Sequence, residues 1–233
     1  MSEAERLYTA EEYLAFEEAV PERHEFVRGR IYAMSGGTDA HEAVKINVTT
    51  ALRTATRGRG CTVRGSDLRV WIPAAEAFKY PDASALCGRA EFREPARNVS
   101  LLNPSLIVEV LSPSTERYDR TGKFALYRRL DSLREYVLVA HDRIRAERFA
   151  RDDGWRPTVH TDLSDVVDVP SLGIGLPLRD VYDEVRLSPP RPRPRRVREP
   201  IADIHAYAAR RFRGGGVVAS EAEADGEVEH LPV

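Results

Sequence analysis

Glu109 stands inside Leu106-Ile107-Val108-Glu109-Val110-Leu111, a run otherwise wholly apolar. A carboxylate buried there without a partner costs several kcal/mol, so it must be paired or must serve a metal or a proton. Strand alternation puts Ile107, Glu109 and Leu111 on one face. Upstream, Asp82 follows Pro81 at the start of a second strand, where its side chain can enter the same cleft. Two carboxylates on neighbouring strands can share a hard divalent cation such as Mg2+, with Mn2+ as an alternative, because such ions want oxygen ligands and tolerate retained water. A cation so held lowers the pKa of bound water and neutralises charge on a phosphodiester. Taken singly, each residue has an ordinary alternative: a turn or cap for Asp82, a buried arginine partner for Glu109.

Lysine is scarce. Only Lys45, Lys79 and Lys123 occur among many arginines, and a compact, titratable ammonium is what arginine cannot supply. Other familiar sites are excluded. His41-Glu42-Ala43-Val44-Lys45 begins like a zinc-protease helix, but Lys45 replaces the second histidine ligand. The chain has neither a G-x-S-x-G nucleophile elbow nor a G-x-x-x-x-G-K-[ST] phosphate loop. Cys61 and Cys87 form no C-x-x-C pair and read as two reduced, packed thiols.

The elements that must position these groups follow from periodicity and caps. Thr9 and Glu12 form a capping box opening a helix through about Phe16. A hairpin turns at Gly29 between His24–Arg28 and Arg30–Met34. Asp39 caps the next helix, with Glu42 at its third position and Val44, Val48, Ala51, Leu52 and Ala55 as its apolar stripe, until Gly58 and Gly60 stop it. Strands are expected at 68–72 and 81–86, and at 106–111, the last apolar on both faces and so central. A helix over 114–130 precedes strands near 135–140, 145–150 and 155–160, all around one sheet.

The order Tyr80-Pro81-Asp82, then Ile107-Val108-Glu109-Val110-Leu111-Ser112-Pro113-Ser114-Thr115, resembles the PD-(D/E)XK nuclease superfamily, and more narrowly the Uma family of bacterial endonucleases. The resemblance covers about residues 7–186, including Tyr8–Tyr13, the His24–Arg30 hairpin and His41 at its helix start. It implies a mixed α/β (α+β) restriction endonuclease-like fold, a central sheet flanked by helices. It also implies metal-dependent hydrolysis of nucleic-acid phosphodiesters, with DNA the expected substrate, and a homodimer. By the same resemblance Asp82 and Glu109 hold the metal, and Glu25 is an additional acidic member of the site.

One departure stands out: Leu111 occupies the position of the motif's lysine. Lys123, on the following helix, is the expected replacement, reaching the phosphate or, if burial lowers its pKa, helping to deprotonate water. Arg117, Arg120 and Arg128 on that helix are candidate phosphate contacts, with surface ion pairs as their alternative, and Lys79 is a further cation. His41 is a candidate nucleic-acid contact or proton shuttle, with capping and packing as its alternative. Leu111 also motivates a second reading, a catalytically inactive nuclease-fold module that binds nucleic acid or protein.

The 233 residues suit one domain with an appendage: a nuclease domain over 1–187, then 188–233 as a Pro/Arg-rich linker, a short helix and an acidic disordered tail. Residues 1–190 hold 27 basic and 30 acidic side chains, which argues against a broad nonspecific phosphate-binding surface. No run approaches the ~20 apolar residues of a membrane span, and the acidic start lacks a signal-peptide pattern, so a cytoplasmic protein without membrane attachment is expected.

Overall fold

The computed structural model describes residues 6–34, 36–93, 99–187 and 199–211. The chain divides into two compact units, Met1–Ala202 and Asp203–Val233. In the second, helix Ile204–Arg211 is described, its first turn held by Asp203, whose carboxylate accepts from the backbone amides of His205 and Ala206. The Pro/Arg-rich linker expected over 188–196 and the acidic tail lie outside the described residues.

The first unit is built on a six-stranded mixed sheet, ordered β10-β9-β8-β7-β6-β3. Its strands are β3 (Cys61–Gly65), β6 (Ala83–Cys87), β7 (Leu106–Leu111), β8 (Glu135–Ala140), β9 (Ala146–Ala150) and β10 (Pro157–His160). Only β7 and β8 pair in parallel; the other neighbours are antiparallel. The central place of β7 follows from its composition. Leu106, Val108 and Val110 enter one apolar core, while Ile107 and Leu111 enter the other. Glu109 therefore points into the second core, between two leucine-like neighbours on its own face.

Two smaller sheets add to the single sheet the sequence suggests. One has four antiparallel strands, β2 (Arg30–Ala33), β1 (His24–Val27), β5 (Ala77–Lys79) and β4 (Val70–Ile72) in that order. The other pairs β11 (Val166–Val169) with β12 (Ile174–Pro177). The β1–β2 turn has positive φ at both Arg28 (46°) and Gly29 (83°), the mirror-image turn that suits strand twist. Glycine is required there twice over, because a Cβ on Gly29 would lie 2.8 Å from Leu7 Cβ.

Helix α1 (Ala10–Ala19) opens with the expected capping box between Thr9 and Glu12. Helix α2 (Asp39–Ala55) buries Val44, Val48 and Leu52 against the first core, and its cap is Thr38 rather than Asp39: the Thr38 hydroxyl accepts from the His41 amide. The segment expected as one helix over 114–130 is interrupted. It runs as α3 (Glu116–Tyr118), a wider π-helical turn (Asp119–Lys123) and α4 (Phe124–Tyr127). Such wide turns recur at functional sites.

The two cysteines are not separate thiols. They stand opposite each other in the β3–β6 register, and Cys61 and Cys87 form a disulfide. Spacing along the chain could not show this, because the pairing depends on which residue of β3 faces which residue of β6. Among the described residues no helix is long and apolar enough to cross a membrane.

Candidate active site

Four chain segments meet at the C-terminal half of β7. β7 brings Glu109, the residues just before β6 bring Tyr80 and Asp82, β1 brings Glu25, and the π-helical turn brings Asp119 and Lys123. Together with His41 at the start of α2 they line one cleft of about 90 Å3. Nearly all of its charged groups are withdrawn from solvent: Glu25 is 1% exposed, Glu109 3%, Asp119 4% and Lys123 6%.

Lys123 Nζ lies 2.7 Å from Glu109 Oε1 and 3.4 Å from Glu25 Oε1, and it also donates to the Tyr80 carbonyl at 3.4 Å. Glu25 receives a second ammonium from β5, where Lys79 Nζ lies 2.9 Å from its Oε2 and 2.8 Å from the Tyr118 hydroxyl. Asp82 sits where the β6–β7 ladder stops. Its Oδ2 accepts from the Val110 amide at 2.7 Å, taking the place of a strand partner. His41 Nε2 donates to the Val110 carbonyl at 3.0 Å and stands 3.8 Å from Asp82 Oδ2.

Burial pushes the Glu109 carboxyl well above the usual range; the Lys123 ammonium opposes this, and the charges of Asp82 and Asp119 add to it. Asp119 is raised too, by burial first, against the pull of Lys123 and of a hydrogen bond from Thr115. For Lys123 burial works the other way, but Glu109, Glu25, Asp119 and Asp82 outweigh it and hold the pKa above that of a free lysine. Burial thus does not lower the Lys123 pKa, because the carboxylates around it favour the ammonium. Behind it a second buried network steadies the Tyr80-Pro81-Asp82 stretch. Glu17 accepts from the Tyr80 hydroxyl at 2.9 Å and pairs with His24 Nδ1 at 3.1 Å, and burial followed by the Glu17 charge pushes Tyr80 up to about 12.

The donor set has the chemistry of a hard divalent cation. Asp82 and Glu109 present carboxylate oxygens to the same cleft, which Glu25 and Asp119 also line, with the Lys123 ammonium among them and Lys79 paired to Glu25. A cation would relieve both the burial that chiefly raises Glu109 and the charges of Asp82 and Asp119 that add to it. Among the described residues no group of three or more His, Cys, Asp or Glu is preassembled to hold a metal.

Asp82, Glu109, Lys123, Glu25 and His41 are thus brought together. The arginines are not part of the cleft. Arg120 is engaged by Glu116 at 3.0 Å and Glu147 at 2.5 Å, Arg128 lies over the Phe124 and Trp155 rings, and Arg117 is exposed without lining the cleft. Asp119 escaped sequence reasoning, although its position four residues before Lys123 marks the same helical face. Leu111, where a lysine was sought, packs in the second core at 3% exposure.

A central mixed sheet with carboxylates at the end of its middle strand and an ammonium arriving from the next helix defines a nuclease-type α/β fold. The chain belongs to the Uma2 family, described as "Putative restriction endonuclease", whose model matches residues 10–179. A solved structure from Anabaena variabilis, described as "a putative nuclease belonging to DUF820", superposes with a TM-score of 0.59 at 18% identity, covering 75% of this chain and 97% of that one. Two uncharacterized Synechocystis sp. proteins are similar in sequence. One is 35% identical over 173 residues, 74% of this chain and 90% of its own length. The other is 33% identical over 146 residues, 63% of this chain and 82% of its own.

Proposed function

We propose that the protein is a divalent-metal-dependent endonuclease acting on DNA, with Mg2+ as its ion and Mn2+ as a substitute. The observation that carries this is the meeting of Asp82, Glu109 and Lys123 in one cleft, with Lys123 Nζ 2.7 Å from Glu109 although Leu111 fills the motif position. Asp82 and Glu109 would hold the metal, which supplies activation of water and charge neutralisation at phosphorus when bound.

The chain's own residues do the rest. Lys123, kept charged by its carboxylate neighbours, stabilises negative charge growing on the phosphoryl oxygens, as a preorganised cation does in a site that excludes water. Glu25, Lys79 and Tyr118 fix the ammonium from behind, and Asp82 is aimed by the Val110 amide. His41, anchored on the Val110 carbonyl, borders Asp82 and is placed to touch the substrate strand. Asp82 also lines an open groove of about 550 Å3 with Lys45 and Arg64, a path for the strand leading into the cleft. A homodimer would present two such sites to the two strands of a duplex.

The test is nicking of supercoiled plasmid at low salt by wild type and Asp82→Asn, with Mg2+, Mn2+ or chelator. Metal-dependent nicking by the wild type and its loss in the variant are expected. A folded wild type that binds nucleic acid but leaves both plasmid and linear substrates intact in every metal would overturn the enzymatic reading in favour of a binding module.

A further inference from the structure

Beside the cleft lies a second cavity, of about 440 Å3, lined among others by Val27, Tyr32, Thr115, Tyr118 and Leu126. It adjoins the cleft through two residues. Thr115 lines both, and Lys79, whose ammonium holds Glu25 in the cleft, also holds the Tyr118 hydroxyl in the wall of the cavity. The walls set the Tyr32 and Tyr118 rings and the apolar Val27 and Leu126 beside the polar Lys79 and Ser114, with Tyr32 half-buried on edge strand β2 and Leu126 half-buried on α4.

We propose that this cavity takes one unstacked nucleobase of the strand whose phosphate lies over Asp82 and Glu109, so that single-stranded or locally opened nucleic acid is the preferred form of substrate. The inference rests on the nuclease reading and adds the substrate class to it. Three observations favour a base. Aromatic walls accept any base by its π-face, and a cavity of this size falls within the ~300–1,000 Å3 typical of small-molecule sites. Glu109 and Lys123 are 3% and 6% exposed in a cleft of about 90 Å3, which favours a strand drawn away from the regular duplex surface. A strand pulled in so far must put its neighbouring base somewhere, and the adjoining cavity lies beside that phosphate.

Equilibrium binding of a fluorescent 20-nucleotide single strand and of its duplex, with Ca2+ or chelator to prevent turnover, tests this on the full chain. Wild type should bind the single strand at least about 10-fold more tightly than the duplex. Tyr32→Ala should lose about 5- to 100-fold on the single strand, as removal of a stacking ring does, while Tyr32→Phe keeps wild-type affinity. Leu126→Glu, which sets a carboxylate in the same lining, should weaken the single strand similarly should Tyr32→Ala fail to fold. Equal affinity for the two forms, or unchanged single-strand affinity in folded Tyr32→Ala and Leu126→Glu, overturns the proposal. Because binding is read without cleavage, the two readings fail separately: metal-dependent plasmid nicking with no single-strand preference removes the base site alone, and Tyr32-dependent binding without cleavage in any metal removes the nuclease reading alone.

Discussion

Lys123 Nζ lies 2.7 Å from Glu109 Oε1 across the gap between a helical turn and the central strand, and both groups are almost wholly withdrawn from water. Each is tolerable only because of the other. The ammonium offsets a desolvated carboxylate, and the carboxylates of Glu109 and Glu25 hold the ammonium charged where burial alone would discharge it. Removing one partner of such a pair leaves a buried charge uncompensated and typically costs about 3–5 kcal/mol. Lys123→Met should therefore lower stability by that order in chemical denaturation, and adding Glu109→Gln to it should recover part of the loss. Additive costs in the double variant would show that the two side chains are not coupled.

On the proposed reading, Asp82 is where folding and chemistry can be separated. Its Oδ2 serves the fold by accepting from the Val110 amide, a task the Oδ1 of asparagine can also perform. Asp82→Asn is expected to melt within a few degrees of wild type and to lose about 100-fold or more in metal-dependent cleavage, in line with the several kcal/mol a catalytic cation supplies. Titration calorimetry with Mn2+ should show weakened binding in the same variant. A variant that cleaves at the wild-type rate would move the metal away from Asp82.

How much of this was legible from the residues alone depended on the range of the interactions involved. The path of β7 and the face on which Glu109 lies are local, set by an apolar run and a period of two, and both appear as expected. The Thr9 capping box and the turn at Gly29 are equally local. What failed to show were pairings made at long separation. Phe26 stands beside Phe78 in the four-stranded sheet, and Cys61 faces Cys87 across β3 and β6, through registers that no short window contains. Glu109 looked ready for a buried arginine; its partner is Lys123, whose helix has to be docked before the pair exists. Arg120 shows the reverse case, where a residue type suited to phosphate is taken up by neighbouring carboxylates that only the fold brings near.

The disulfide is expected to contribute to stability and not to chemistry. Cys61 and Cys87 are 26 residues apart, and a closed loop of that length is worth about 3 kcal/mol in the chain-entropy account. Reduction, or replacement of both cysteines by serine, should lower the melting temperature by roughly 6–12 °C for a domain of this size. Cys87 ends β6 at the opposite end from Asp82, so cleavage per folded molecule should be unchanged. An unchanged melting point under reduction would mean that the two thiols do not bridge in solution.

Glu147 reports on whether Arg120 is a structural cation or a substrate contact. Burial would raise its carboxyl, but hydrogen bonds from Arg120 and Arg145, at 2.5 and 2.6 Å, overcome this and hold it below the usual carboxylate range. A carboxyl lowered in the folded state stabilises the protein above its unfolded pKa, and the contribution disappears as pH falls through the folded one. Glu147→Gln should therefore cost about 1–3 kcal/mol at pH 7, the scale of hydrogen bonds to charged groups, with the gap to wild type closing as the pH is taken below about 4. Denaturant titrations of both proteins from pH 7 to pH 3 measure that gap directly. A gap that stays constant across the range would show that the Arg120 and Arg145 pairs give Glu147 no charge-dependent stability.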